Sequence, residues 1–264
     1  MLKGIFFCDV DGTILPHGQG AIEPRFFEVV RTAHRRGYLV CISSGRIFCS
    51  LQPLFVEVED LVVFSACNGC MIVYQGEELI PNHTIGSHDA EEMVNSLLKW
   101  GAIPLISSTD GLHLPKKIEH HARSLHYLNR PTTKVFEHID QVDAPVLQLT
   151  ALCNDNIETV IANSRLAWQE RYHVTTTGPQ MFDICPTTKG ESLILIAEHY
   201  GIDRSKTWAF GDNENDIPML RAAGKGYLMH DAHPTLHDPR FEHCDDVSQT
   251  MLAIMESAVT KECY

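Results

Sequence analysis

Long apolar runs are missing from this chain. No stretch approaches the about 18 residues that a membrane-spanning helix needs, and the first residues carry neither a basic start nor a small-residue cleavage site. The early Ile5-Phe6-Phe7 is too short for a signal core, so a cytoplasmic protein with no membrane partner is expected. Basic charge is scarce too. Lys and Arg number 21 against 34 Asp and Glu, a formal net charge of −13, and they form no stripe. A nucleic-acid backbone would be repelled by such a surface. Small anions would be repelled at long range as well, so any phosphate site has to be positive locally; Lys189, Arg46 and a divalent cation can make it so. Internal repeats and low-complexity tracts are absent from the sequence.

Disulfide patterning is also lacking. The nine cysteines, at positions 8, 41, 49, 67, 70, 153, 185, 244 and 263, are odd in number, and several lie inside apolar strand-like segments. That usage suits buried, reduced thiols. Cys67-Asn68-Gly69-Cys70 has the spacing of a redox motif or zinc knuckle. No second pair answers it, and it follows a strand instead of opening a helix, so core packing is the expected role. The fifteen histidines are scattered, and His120-His121 are neighbours that point apart on a helix.

What the chain does have begins at Ile5: IFFCDVDGT, an apolar run that delivers Asp9 and Asp11 and then Gly12-Thr13. Such a run reads as a strand buried on both faces, and alternation along it sends Asp9 and Asp11 to the same side at its C-terminal end. Two carboxylates there can hold a cation and divide covalent and acid–base work. An ordinary turn is the alternative, since Asp and Gly are also turn residues. A second buried-strand pattern, Tyr38–Ile42, ends in Ser43-Ser44-Gly45-Arg46. Lys189-Gly190 opens the helix-like run ESLILIAEHYG. A third strand pattern, Thr207–Phe210, ends in Gly211-Asp212-Asn213-Glu214-Asn215-Asp216. Three strand ends thus carry groups suited to one phosphate and one hard cation, and the carboxyl ends of strands in open α/β sheets are where ligands bind.

The periodicity between these motifs divides the chain. Pro24 to Arg36 reads as a helix stopped by Gly37, followed by strand 38–42, a helix near 47–56, strand 61–66 and a hairpin of 71–74 with 79–80. This strand–helix rhythm predicts a parallel sheet. Near Pro81–Ser87 the texture changes. Ser87 is expected to cap a helix to Trp100, followed by strand-like 103–107 and 112–114, a His-rich stretch at 118–128, strand 146–152, a helix from about Asp155 to Tyr172, and strands 173–177 and 181–185. From Lys189 the earlier rhythm resumes through strand 207–211, a helix near 215–223, strand 226–229 and a closing helix near 247–258. The expected fold class is α/β, a Rossmann-like parallel-sheet core with an inserted α+β cap. Its divisions are residues 1–82 (core, first part), 83–185 (cap) and 186–264 (core, second part).

The ordered set D-x-D-G-T, S-G-R, K-G and G-D-x-x-N-D resembles the haloacid dehalogenase superfamily of phosphohydrolases. It is most similar to the Cof-type branch, whose type-2 cap lies between the second and third motifs, and the resemblance runs from residue 1 to roughly residue 250. It implies a Mg²⁺-dependent phosphatase of small phosphomonoesters, such as sugar phosphates, working through an aspartyl-phosphate. Asp9 is then the nucleophile and Asp11 the proton donor and acceptor. The metal set is Asp9, Asp11 (through its backbone carbonyl) and Asp212, with Asp216 supporting. The phosphate- and substrate-binding set is Val10, Ser44, Gly45, Lys189 and Asn215. Gly12 lets the chain turn sharply and Thr13 can fix that turn by a hydrogen bond. A helix N-cap is the competing role for Asn215. One segment departs from the family pattern: Tyr227-Leu228-Met229-His230-Asp231-Ala232 stands where a Met-Gly-Asn-Ala turn is common. A phosphomutase of the same superfamily, a catalytically silent phosphate-binding protein and, more remotely, a dehalogenase are the competing readings. A small phosphorylated metabolite is the expected partner. In the cap, His120, His121, Arg123 and Arg130 are candidate substrate contacts, with solvated surface the plainer reading of each; oligomeric state stays open.

Overall fold

A computed structural model of the chain describes residues 2–116 and 133–262. Strand β1 (Gly4–Cys8) is buried along its whole length because the sheet it belongs to is covered on both faces, which is why its sequence is continuously apolar. Phe6 and Cys8 join a cluster with Val30 and Met251 on one face. Ile5 and Phe7 join Leu193, Ile196 and Met219 on the other. After β1 come the helix Pro24–Arg35 and β2 (Tyr38–Ser43). The helix expected near 47–56 is a single turn, Phe48–Leu51, followed by the 3₁₀ turn Gln52–Leu54; Pro53 lacks the N–H that an α-helix interior needs. Strand β3 (Val62–Ala66) and the hairpin β4 (Met71–Tyr74) and β5 (Glu77–Ile80) complete the first part.

The chain then leaves this sheet. The helix Ser87–Lys99 begins at Ser87 itself, with Gly86 at its N-cap and no side-chain cap, so Ser87 does not cap it as expected. Next come β6 (Ile103–Ser108), β7 (Gly111–Pro115), β8 (Thr133–Phe136) and β9 (Val146–Leu152). The helix Ile157–Trp168, β10 (His173–Gly178) and β11 (Met181–Cys185) follow. These strands form a six-stranded sheet in the order β10-β11-β9-β6-β7-β8, antiparallel except for β7 with β8. Both helices cover one of its faces: Met93 and Leu97 from the first and Val160 and Trp168 from the second pack with Ile106, Leu149, Ala151 and Phe182. The alternate residues Ser107, Gln148, Thr150 and Asp183 occupy the opposite face. His120, His121, Arg123 and Arg130 lie outside the described residues.

The chain rejoins the first sheet through the helix Lys189–His199, β12 (Thr207–Gly211), the helix Ile217–Ala222, β13 (Lys225–Met229) and β14 (Glu242–Cys244), and ends in the helix Val247–Glu262. The eight-stranded order is β14-β13-β12-β1-β2-β3-β4-β5. It is parallel from β14 to β3 and antiparallel in the terminal hairpin. The strand before the unusual His230–Ala232 turn is therefore kept. Cys8 lies opposite both Phe210 and Ile42. That register brings the segments after β1, β2 and β12 to one edge of the sheet, and they carry Asp9, Ser44 and Asp212.

Candidate active site

Asp9 leaves the end of β1 with its backbone N–H donated to Phe210 and its carboxylate nearly buried at 5% exposure. The chain then closes a tight turn: Val10 carbonyl accepts from Thr13 and Leu15, and Gly12 donates to Leu15. Gly12 sits at φ +86°, and a Cβ there would lie 2.1 Å from an Asp212 carboxylate oxygen, so both conformation and space demand glycine. The Thr13 hydroxyl points to Asp212 at 3.4 Å instead of closing the turn.

Lys189 enters from below. Its position is set by the start of its helix, where Thr188 and Glu191 form a capping box. Gly190 lets that helix approach the next, since a Cβ there would meet the Pro218 carbonyl at 2.5 Å. The Lys189 ammonium, 1% exposed, donates to Asp9 Oδ1 and to Asp216 Oδ1, both at 2.6 Å. Burial alone would lower its pKa, but Asp216 and Asp9 outweigh burial and raise it. Asp216 uses its other oxygen to accept the backbone N–H groups of Asp212 and Asn213, which folds the turn after β12 over it.

Asp9, Asp212 and Asp216 offer carboxylate oxygens within 4.8 Å of one another. Burial and then the Asp216 charge raise the Asp9 pKa, against the pull of Lys189. The same causes push Asp212 up to about 6, with His17 and Lys189 opposing. Three carboxylates share one lysine, all ligand atoms are hard oxygens, and the cluster holds neither His nor Cys. A divalent hard cation fits the charge deficit and the donor set.

The remaining residues stand around this cluster. Asp11, half exposed, makes two parallel hydrogen bonds with Arg46, Nε to Oδ2 at 2.7 Å and Nη2 to Oδ1 at 2.6 Å. Asp9, Asp11, Ser44, Gly45, Asp212 and Asn215 line one cleft of about 690 Å³, whereas Ser43 does not reach it. Val10 is not among the residues that line this cleft, and its side chain is fully buried. The N-cap of the turn is Asn213; Asn215 instead donates to Asn68 Oδ1 at 2.9 Å. Cys67 and Cys70 pack beside Leu147 and Cys185, and burial pushes both thiols well up. They are core residues.

Several residues at the cleft have no motif to announce them. Asn68, buried with a left-handed backbone (φ 56°), donates to Gln148 at 3.0 Å and Asp183 at 2.9 Å across the two sheets. Gln148 also donates to the Gly45 carbonyl at 3.2 Å, and Thr150 to Asp183 at 2.6 Å. Burial pushes Asp183 up to about 6 despite those donors. His17, largely exposed, approaches Asp212 at 3.4 Å. The polar positions in VLQLTAL (146–152) and MFDIC (181–185) were the available signal, because an alternating polar residue in an otherwise apolar strand marks a second, functional face.

Known proteins share the sequence and fold of this chain. The chain is 27% identical over 240 residues to the chloroplastic endoribonuclease YBEY of Arabidopsis thaliana, a match covering 84% of this chain and 41% of that protein's length. It is 24% identical over 247 residues to the HMP-PP phosphatase of Escherichia coli O157:H7, covering 89% of each. The fold matches that of the subclass IIB sugar phosphatase BT4131 with a TM-score of 0.81, 22% identity, and coverage of 96% of this chain and 98% of that one. Residues 6–250 match the haloacid dehalogenase-like hydrolase family, and the chain belongs to that family.

Proposed function

We propose that this phosphatase hydrolyses small phosphomonoesters, sugar phosphates or similar metabolites, with Mg²⁺ and through an aspartyl-phosphate on Asp9. The observation that carries the reading is the buried cluster of Asp9, Asp212 and Asp216 on Lys189, set where the ends of β1 and β12 meet the start of the helix Lys189–His199. The match to a phosphatase covering 89% of both chains supports it. Residues 83–185 are the cap, 1–82 and 186–264 the core, and the setting is cytoplasmic. The eight described cysteines are all free, which agrees with a reducing compartment.

Lys189 holds Oδ1 of Asp9, which leaves Oδ2 to attack phosphorus. The Asp9–phosphorus bond forms as the ester bond breaks, and Asp11 gives its proton to the departing oxygen. Arg46 holds the ionised Asp11 carboxylate at the cleft, so this pair has to part and Asp11 take up a proton from solvent before it can act as the donor. In the second half Asp11 takes a proton from water, whose oxygen attacks phosphorus, and Asp9 leaves as a carboxylate. The Ser44 hydroxyl and the Gly45 N–H then serve the phosphoryl oxygens, with Asn215 beside them, a role supported by the cleft that all three line. Asp9, Asp212 and the Asp11 carbonyl, with Asp216 in support, would hold Mg²⁺, which would supply positive charge to the phosphoryl oxygens.

A panel of sugar phosphates, nucleotides and pyridoxal phosphate, read by inorganic phosphate release, tests this. Metal-dependent release is expected. Phosphoryl transfer to another sugar hydroxyl without net phosphate release would make the protein a mutase. Phosphate binding without turnover would make it a silent binding protein.

A further inference from the structure

Glu214 lies between Asp212 and Asp216 yet faces away from the phosphate end of the cleft. Its Oε1 accepts from Arg165 Nη2 at 3.0 Å, and its Oε2 accepts from the backbone N–H of Thr176 at 3.0 Å. Both partners belong to the cap: Arg165 to the helix Ile157–Trp168 and Thr176 to β10. β10 is an edge strand, so an outward N–H there needs a partner from elsewhere. Arg165 is braced by a second bond, from Nε to the Val174 carbonyl at 3.4 Å. Asn215, the next residue, reaches the cap by another route, through Asn68 to Gln148 and Asp183. The turn that carries two of the three clustered carboxylates is therefore tied to the cap on both sides.

We propose that Glu214 and Arg165 are positioning residues, a clamp through which cap docking holds the Asp212–Asp216 turn in its metal-binding geometry, so that cap closure and divalent-cation binding strengthen each other. This rests on the metal-dependent reading above. The turn is held from within by Asp216, which accepts the Asp212 and Asn213 N–H groups and pairs with Lys189, and the cap contacts add a second hold from outside. It is one 3₁₀ turn, Glu214–Asp216, capped by Asn213, and a segment so short gains its order from tertiary contacts. The Arg165–Glu214 pair is about two-fifths exposed on each side, so it adds little to folding stability and breaks readily when the cap opens. Coupling between two binding events is reciprocal: if closure tightens cation binding, the cation must favour closure by the same factor.

Charge alone predicts the opposite sign. Arg165 is a positive group near a cation site, and its removal should tighten cation binding by simple Coulomb attraction. The clamp predicts loosening. Isothermal titration of Mg²⁺ into the substrate-free full-length protein separates the two, comparing the parent with Arg165→Ala and Arg165→Lys. The expected result is a Mg²⁺ Kd raised about three- to tenfold in Arg165→Ala, in the range of ordinary coupling factors, with partial recovery in Arg165→Lys. A Kd within twofold of the parent, or a tighter one, overturns the clamp. Amide hydrogen exchange gives a second reading on the parent alone, which holds even if the variants fold poorly. Added Mg²⁺ should slow exchange at Thr176, whose N–H is covered by Glu214, and unchanged exchange there overturns the clamp. A parent that neither binds Mg²⁺ nor releases phosphate overturns the assigned reaction and the clamp with it; a parent that does both beside an unaltered Arg165→Ala overturns the clamp alone.

Discussion

On the eight-stranded sheet, the proposed core, the wall of the cleft is made of strand ends; on the six-stranded sheet, the proposed cap, it is made of a sheet face. On the core wall Asp9, Asp212 and Asp216 crowd around Lys189, nearly sealed from water, and each is held by at least one defined hydrogen bond. On the cap wall Ser107, Gln148, Thr150 and Asp183 alternate with buried residues and share the cleft with Leu105 and Met181. A strand end can gather charges from several segments at one point. A sheet face spreads mixed polar and apolar contacts over an area. The first suits a reaction common to every phosphate ester, and the second suits discrimination among the groups attached to the phosphate. Changes on the core wall should therefore lower turnover of all esters by one factor, and changes on the cap wall should reorder them.

Asp9→Asn gives the largest effect. It removes the proposed nucleophile's charge at nearly constant volume, so turnover should fall by about a thousandfold or more for every ester, a barrier increase of about 4 kcal/mol. Circular dichroism should show the fold unchanged. Turnover within about tenfold of the parent would exclude Asp9 as nucleophile. Asp212→Ala comes next. Excess chelator should abolish activity and Mg²⁺ restore it, and the variant should need at least about tenfold more Mg²⁺ at half-saturation, for all esters alike. Activity undiminished in chelator would refute the metal assignment.

The same contrast decides what was legible in the sequence. Asp9, Ser44, Lys189 and Asp212 lie at element ends, and a strand-then-polar pattern locates such ends from neighbours alone. The sheet, its parallel register and the interruption after Ile80 follow from that rhythm. The cap partners were not legible: Asn68 meets Asp183 across 115 positions, and Arg165 meets Glu214 across 49. Alternation in VLQLTAL, not read as such from the sequence, puts Gln148 and Thr150 on one face but does not say what the face meets. The N-cap role that competes for Asn215 falls to Asn213, two residues earlier, and the contact with Asn68 distinguishes the two asparagines.

Asp183 turns the cap wall into a pH-dependent one. Burial pushes its carboxyl up to about 6 from an ordinary 3.8, so the folded state favours the protonated form more than the unfolded state does. Its contribution to stability is fully present below the unfolded value and is lost as pH rises through about 6. The difference in unfolding free energy between the parent and Asp183→Asn should then move in favour of the variant between pH 4 and 7, by up to about 3 kcal/mol. Denaturant titrations of both proteins at four pH values measure it. A difference independent of pH would mean that Asp183 titrates normally and that its cavity is wetter than the geometry indicates.

The smallest effect is the most informative about the cap. Thr150→Val keeps the shape of the side chain and removes one hydroxyl, which donates to Asp183 Oδ1 and accepts from Gln148 Nε2 at 3.1 Å. No catalytic group of the core touches it, so the chemical step should keep its rate on a small chromogenic ester. Asp183 loses a donor and Gln148 a restraint, and a substrate hydroxyl is then the natural replacement partner for the freed carboxylate oxygen. Esters with a hydroxyl placed to reach Asp183 should hold their kcat/KM, while those without one should lose about 1 kcal/mol, roughly fivefold, because a buried acceptor is left unpaired. Ratios of kcat/KM across the ester panel, parent against variant, read this directly. A uniform fall across the panel would place Thr150 in the service of the core, and the division of labour between the two walls would fail at that residue.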